Sequence, residues 1–233
     1  MSYKRIQRFI PQSKHKLKAT YSMTPKYVTI HNTYNDASAA NEVAYMTRNN
    51  NPTSYHVAID DKEAIEAIPF NRNAWHAGDG QADGNRKSIG IEICYSKSGG
   101  DRYKKAEENA VIYTAHLLKQ YGWGMDRVKF HQDWSGKHCP HRILSEGRKQ
   151  SFLKRIEDKL DELNNPTEPK PEKEVDWMSE KLPNTQKNDL KKAFAKAHKD
   201  GVFSVDHSSK VDNMTIKDAT LLMMSLQSRL YSK

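Results

Sequence analysis

Apolar and polar residues alternate along short segments in the first part of the chain. In KYVTIHNT, residues 26–33, Val28 and Ile30 share one face, whereas Thr29 and His31 share the other. Alternation with a period of two is typical of a β-strand. The segment is therefore predicted to be a strand that carries His31 on its polar face.

Three further segments follow the same rule. SYHVAID and AIEAIPF, residues 54–60 and 64–70, are short and rich in apolar side chains. SIGIEIC, residues 88–94, is the clearest example, because its three isoleucines share one face and Glu92 lies on the opposite one. The pattern predicts three more strands, the last of which displays Glu92 away from an aliphatic layer.

Segments with apolar residues at helical spacing lie between and after these strands. They predict a short helix over residues 38–49, a longer one over about 104–121 with Gly122 as its stop signal, and a third over roughly 145–163. Strands mixed with long helices indicate an α/β domain with a central mixed β-sheet flanked by helices.

The periodic pattern stops at NNPTEPKPEKEVD, residues 164–176, where three prolines and alternating charges occur. This composition predicts an extended linker. It separates a domain at residues 1–163 from a tail at residues 177–233. The tail is predicted to be a small all-α module, in which Thr215 caps the last helix and Asp218 completes a capping box.

Charge and cysteine content narrow the class of protein. The 233 residues include 38 basic and 29 acidic side chains, a net charge of +9, which favours an anionic polymer as partner. We find neither a signal-peptide-like apolar segment nor a run of 18 apolar residues, so we expect synthesis in the cytoplasm and no transmembrane segment. A disulfide between Cys94 and Cys139 is not expected in such a chain.

The stretch FHQDWSGKHCP, residues 130–140, concentrates side chains that a metal-assisted hydrolase needs. Catalytic zinc takes three protein ligands and leaves a fourth position open. His131 and Cys139 are eight residues apart, which suits the two ends of one loop, and His31 is the best candidate for the third ligand. The neighbouring His138 and His141 are rejected as ligands.

Hydrolysis of an amide also requires a base and a cation near the metal. Glu92 is the acid that we assign as general base, and Lys137 is placed to stabilise an oxyanion, with Tyr55 assisting. His76, in the glycine-rich segment AWHAGDG, is expected to line a substrate groove. Each residue has an ordinary alternative, because Cys139 can be a small buried apolar residue, Glu92 an ion-paired carboxylate and Lys137 a solvated side chain.

The motifs TIHNT, SYHV, AWHAGDG, SIGIEIC and HQDWSGKHCP together resemble the type 2 N-acetylmuramoyl-L-alanine amidases, above all the endolysins of phages that infect Bacillus and its relatives. The resemblance extends over about residues 5–160. It implies a zinc hydrolase that cuts the amide between N-acetylmuramic acid and the L-alanine of the peptidoglycan stem peptide. The matching positions are His31, His131 and Cys139 for zinc, Glu92, Lys137 and Tyr55 for catalysis, and His76 for the substrate groove.

The tail resembles the short helical wall-binding modules of some lysins. An anionic cell-wall polymer is therefore its expected partner, and the protein is expected to be a monomer that reaches the wall after release from the host cytoplasm. Three alternatives stay open: a non-catalytic peptidoglycan receptor of the same fold, a cysteine hydrolase, and a nucleic-acid-binding protein. The last is disfavoured, because the basic N-terminal segment has few aromatic residues among its lysines and arginines.

Overall fold

The computed structural model describes residues 3–165 and 181–231, which fall into two units that divide near residue 166. Most of the predicted linker, from residue 166 onward, lies outside the described residues. In the described ranges, no helix is both long and apolar enough to cross a bilayer.

A mixed sheet forms the centre of the first unit and confirms the predicted fold class. Its six strands lie in the order β1-β4-β3-β5-β2-β6, and every neighbouring pair is parallel except β3 and β4. The strands are β1 (Lys4–Gln7), β2 (Tyr27–Asn32), β3 (Val57–Ile59), β4 (Glu63–Glu66), β5 (Ser88–Ile93) and β6 (Val128–Phe130).

Helices flank this sheet. In the first unit they are α1 (His15–Lys18), α2 (Ala39–Arg48), α3 (Asp83–Arg86), α4 (Gly100–Tyr121), α5 (His131–Ser135), α6 (His141–Ser145) and α7 (Lys149–Asn164). Helix α4 packs on β3 and β5, and α7 packs on α4. Ser38 caps α2 by accepting a hydrogen bond from the backbone N–H of Asn41.

The bounds of two predicted elements near the candidate site need correction. The helix predicted over roughly residues 145–163 is α7, which begins later, at Lys149, because Gly147 adopts a left-handed conformation with φ +65° between α6 and α7. The strand predicted over residues 54–60 is shorter than its pattern, since β3 begins at Val57 and leaves Tyr55 in the preceding loop. The loop, rather than the strand, therefore sets the position of Tyr55.

Strands β2 and β5 lie inside the sheet and are buried on both faces. Thr29 and His31, on the face predicted to be polar, are as inaccessible as Val28 and Ile30. Central strands of largely parallel sheets are covered on both sides. Polar residues on this face are thus enclosed by protein, so any site that they form is buried.

Glu107 joins α4 to α7 and gives the first unit a pH-dependent stability. Its carboxylate accepts hydrogen bonds from Arg148 at 2.6 and 3.0 Å and from Arg155 at 2.7 Å. Burial acts to raise the pKa of Glu107, but the hydrogen bonds from the two arginines outweigh it and lower the pKa below the usual 4.5. The ionised carboxylate is therefore the stabilising form.

We expect the ion pairs of Glu107 to stabilise the fold above about pH 4.5 and to lose this effect as the pH falls through the lowered pKa. Glu107→Gln should lower the free energy of unfolding by about 2 kcal/mol at neutral pH. Urea unfolding of both proteins from about pH 7 to about pH 3 measures the difference. A difference that stays constant over this range would contradict the assignment.

The second unit is helical in its described residues. It contains α8 (Asn184–Lys199), a 3-10 helix (Ser208–Asn213) and α9 (Ile216–Tyr231) around buried Phe194, Phe203 and Val211. The predicted capping box is confirmed, because the backbone N–H of Asp218 donates to Thr215 Oγ1 at 3.2 Å and that of Thr215 donates to Asp218 Oδ2 at 3.0 Å.

Candidate active site

Two adjacent parallel strands bring the first two predicted ligands together. In the register of β2 and β6, Ile30 pairs with Phe130, so that His31 and His131 follow at the same edge of the sheet. His31 also pairs with Glu92 on β5. Strand pairing thus makes neighbours of His31 and His131, which are 100 positions apart in sequence.

The segment after β6 folds back and delivers the third predicted ligand. HQDWS forms the short helix α5 rather than the predicted loop, and Gly136 ends it in a left-handed conformation with φ +76°. The backbone N–H of Gln132 donates to the carbonyl of Cys139 at 3.0 Å, which closes the segment. Trp134 Nε1 donates to Thr29 Oγ1 at 2.8 Å and fixes α5 on β2. Cys139 therefore lies at the same edge of the sheet as His131.

His31, His131 and Cys139 form a buried cluster whose ligand atoms all lie within 4.8 Å of one another. His31 Nδ1 is 3.0 Å from His131 Nδ1 and 3.8 Å from Cys139 Sγ. Tetrahedral zinc places two nitrogen ligands roughly 3.3 Å apart, and a nitrogen and a sulfur ligand roughly 3.6 Å apart. The donor set and its spacing therefore fit zinc. His138 and His141 do not belong to the cluster, since they bond to Ser145 Oγ and to the carbonyl of Ser96.

The cluster is electrostatically prepared for a cation. Burial, followed by the neighbouring His76 and His131, lowers the pKa of His31 far below its usual value, and burial followed by Lys137 lowers that of His131 to about 4. Both imidazoles are neutral at pH 7, which is the form that binds metal. Burial and then Glu92 raise the pKa of Cys139 to about 12. Without a cation the thiol is therefore protonated at neutral pH and is a poor nucleophile, whereas a cation held by the two histidines would favour the thiolate that binds metal.

His76 lies behind His31 and not in the cleft where the sequence predicted it. Its Nδ1 is 2.9 Å from His31 Nε2, and its Nε2 is 3.3 Å from the carbonyl oxygen of Ser88. That oxygen can only accept, so the proton of His76 is on Nε2 and its Nδ1 accepts from His31 Nε2. The lone pair of His31 Nδ1 is then directed at His131 and Cys139. His76 thus sets the tautomer of His31, a predicted metal ligand.

Space for His76 depends on Gly90. A Cβ at Gly90 would lie 2.8 Å from the His76 ring, closer than such atoms approach. The glycine of SIGIEIC is therefore a requirement of the buried imidazole and not a general strand feature. His56 fills the space beyond, where its Nδ1 accepts from the backbone N–H of Gly90 at 2.9 Å.

The remaining predicted residues surround a cleft of about 590 Å³ that opens beside Cys139. Tyr55, Glu92 and Lys137 all line it. Among the described residues, Glu92 Oε2 and the Tyr55 hydroxyl are buried without a hydrogen-bond partner. Because buried polar atoms are rarely unsatisfied, both are positioned to bind water or a ligand. Six of the seven predicted site residues are thus brought together at one cleft or its cluster.

The charge of Lys137 acts on the groups of this site. Burial and then Glu42 raise the pKa of Glu92 to about 8, whereas Lys137 opposes this shift. Lys137 also contributes to the lowered pKa values of His31 and His131. Its charge therefore acts on both the carboxylate and the histidines from the lining of the same cleft, which suits the predicted role in stabilising an oxyanion.

Sequence reasoning missed the residues of α2 that form one wall of the cleft. Glu42, Tyr45, Met46 and Asn49 all line it. They occupy positions i, i+3, i+4 and i+7 of the helix, so they share one face. A mixed polar and aromatic face on a predicted helix was the available signal.

Comparisons with known proteins agree with this geometry. Residues 21–142, just over half of the chain, match the family model described as N-acetylmuramoyl-L-alanine amidase. N-acetylmuramoyl-L-alanine amidase CwlA of Bacillus subtilis (strain 168) is 57% identical over 168 residues, which cover 72% of this chain and 62% of that protein. XlyB of the same strain is 59% identical over 152 residues, covering 65% and 48%. The chain thus spans about half to two thirds of the length of these relatives.

A solved structure, that of PlyL, superimposes with a TM-score of 0.65 at 53% identity and covers 68% of this chain and 99% of its own. N-acetylmuramoyl-L-alanine amidase CwlH of Bacillus subtilis (strain 168) is 36% identical over 196 residues, covering 82% of this chain and 76% of that protein. Because the family model matches more than half of this chain, the chain belongs to the N-acetylmuramoyl-L-alanine amidase family.

Proposed function

We propose that the protein is a zinc-dependent N-acetylmuramoyl-L-alanine amidase, a phage endolysin that hydrolyses the amide between N-acetylmuramic acid and L-alanine in peptidoglycan. The convergence of His31, His131 and Cys139 within 4.8 Å carries this proposal. The family relationship and the names of the related amidases support the choice of bond.

When bound, zinc supplies a Lewis acid that polarises the carbonyl and acidifies water. Glu92, with its unpaired Oε2, takes the proton of the attacking water and returns it to the departing alanine nitrogen. The ammonium group of Lys137 and the hydroxyl of Tyr55 stabilise the negative oxygen that forms on the carbonyl. Burial alone disfavours the ionised form of Glu92, and a cation held by His31, His131 and Cys139 would favour it.

End-group analysis of digested peptidoglycan tests this reaction. We expect new alanine amino termini without new reducing sugars, together with one zinc ion per purified chain by metal analysis. Chelation should abolish cleavage, and added zinc should restore it. New reducing ends would indicate a glycosidase, and full activity in the presence of chelator would remove the metal from the proposal.

His76→Ala should weaken zinc binding by about tenfold to a hundredfold, because the tautomer and orientation of His31 lose their support. Zinc affinity is measured by competition with a chromophoric chelator. Thermal unfolding of the zinc-free variant separates this effect from general destabilisation. Unchanged zinc affinity in a folded variant would show that His76 acts only as a buried core residue.

We propose that the second unit, predicted at residues 177–233, binds an anionic cell-wall polymer. Its described residues 181–231 include nine lysines and arginines against five aspartates, a net charge of +4 (9 − 5). Attachment would raise the concentration of the proposed catalytic unit, residues 1–163, at an insoluble substrate. Cosedimentation of the full chain with cell walls should fall with added salt and with removal of the anionic polymers. Salt-insensitive binding would contradict an electrostatic role.

A further inference from the structure

The α2 wall of the cleft, defined by Glu42, Tyr45, Met46 and Asn49, supplies no reacting group to the chemistry proposed above, although Glu42 contributes to the raised pKa of Glu92. Within this wall Met46 is buried, whereas Tyr45 is 57% exposed. The α2 wall therefore offers a carboxylate, an aromatic ring and an amide to a molecule that occupies the cleft.

Glu42 is the unusual member of this wall. Its Oε1 accepts a hydrogen bond from Asn35 Nδ2, and burial raises the pKa of its carboxyl, which Asn35 opposes. Within residues 3–165 and 181–231, no lysine or arginine forms an ion pair with it. Glu107, a buried carboxylate of the same unit, has two arginine partners. Burial disfavours the charge of an unpaired carboxylate, so a cation in the cleft would stabilise the ionised form of Glu42.

The other charges of the cleft do not supply this cation. Lys137 acts on Glu92 and on the two histidine ligands, and it is absent from the groups that shift Glu42. Tyr45 lies one helical turn from Glu42 on the same face. A carboxylate and an aromatic ring in this arrangement are a suitable pair for an ammonium group, which gains both an ion pair and a cation–π contact.

We propose that the α2 wall is a substrate subsite for a positively charged amino group, bound by the carboxylate of Glu42 with the ring of Tyr45 beside it. This inference rests on the proposed function. In peptidoglycan, the group with this chemistry is the side-chain amine of the diamino acid in the stem peptide. Cross-linking through that amine converts it into an uncharged amide, so the subsite selects stem peptides that are not cross-linked there.

The test combines a variant with a modified ligand. Glu42→Gln keeps an oxygen that accepts from Asn35 but removes the charge. Binding of N-acetylmuramoyl tripeptide to the zinc-free full chain is measured by calorimetry, with the diamino acid amine either free or acetylated. We expect the wild-type protein to bind the free amine about tenfold more tightly than the acetylated form, and Glu42→Gln to bind both equally.

Two further variants sharpen the result. Tyr45→Leu should reduce the preference for the free amine by about threefold. Glu157→Gln removes an exposed carboxylate on α7 and should leave the preference intact. A wild-type protein that does not distinguish the two ligands would overturn the subsite, as would an equal loss of both in Glu42→Gln.

The measurement also separates this inference from the proposed function. Calorimetry on the zinc-free chain requires no bond cleavage. A retained amine preference without release of alanine amino termini would refute the amidase reaction but support the subsite. Cleavage of free-amine and acetylated peptidoglycan at equal rates by a zinc-loaded protein would support the amidase reaction but refute the subsite.

Discussion

Replacing Cys139 by serine is expected to lower zinc affinity by at least about a hundredfold and to abolish peptidoglycan cleavage. A direct ligand should matter more than the supporting residues around a metal, whose loss costs about tenfold to a hundredfold. The thiol is buried and lies 3.8 Å from His31 Nδ1, where its thiolate would contribute the only negative charge among the three ligands. A serine hydroxyl does not ionise under these conditions and cannot replace that charge.

The second cysteine provides a matched control. Cys94 is also buried and also a free thiol, yet it does not belong to the ligand cluster. Cys94→Ser should therefore retain zinc affinity and cleavage, apart from a loss of thermal stability. Cys139→Asp restores an anionic ligand and should recover part of both. Cleavage by Cys139→Ser at the wild-type rate would refute the zinc mechanism and indicate a hydrolase that does not use Cys139.

Alternation in the sequence was sufficient to predict β2 and β5, because both are long enough to repeat the pattern. The same alternation put His31 and Glu92 on the correct face, where the register makes them neighbours. Strand β1, by contrast, has the mostly polar sequence KRIQ and gains its place only by pairing with β4 at the sheet edge. Strand β6 has three residues, too few for any period to appear.

Some features of the candidate site follow from the sequence, and others depend on contacts between distant residues. His131 and Cys139 could be assigned together because one short segment contains both. The role of His76 could not, since it depends on a distance of 2.9 Å to His31 and on the absence of a side chain at Gly90. The start of α7 at Lys149 was likewise not predicted, because its apolar stripe begins only at Phe152 and does not define the first turn. Tertiary contacts decide such features, and a single sequence does not encode them locally.

Glu92→Gln is expected to reduce kcat for peptidoglycan cleavage by about a thousandfold while zinc content stays at the wild-type level. General acid–base groups contribute about a hundredfold to ten-thousandfold, and an amide cannot take up the proton. Glu92 lines the cleft but does not belong to the ligand cluster, so metal binding does not require it. Steady-state kinetics and metal analysis of one preparation measure both quantities.

The same variant should not be less stable than the wild-type protein. Glu92 Oε2 is buried without a partner, and the cost of burial is what raises the pKa of this residue to about 8. Glutamine removes the ionisable group and with it that cost, so the midpoint of thermal unfolding should stay equal or rise. Glu66→Gln is the matched control, because Glu66 is a buried carboxylate of the same sheet that pairs with Arg5. Glu66→Gln should lose stability and keep the wild-type kcat. If instead Glu92→Gln lost stability and kept kcat, Glu92 would be a structural residue and the base would lie elsewhere.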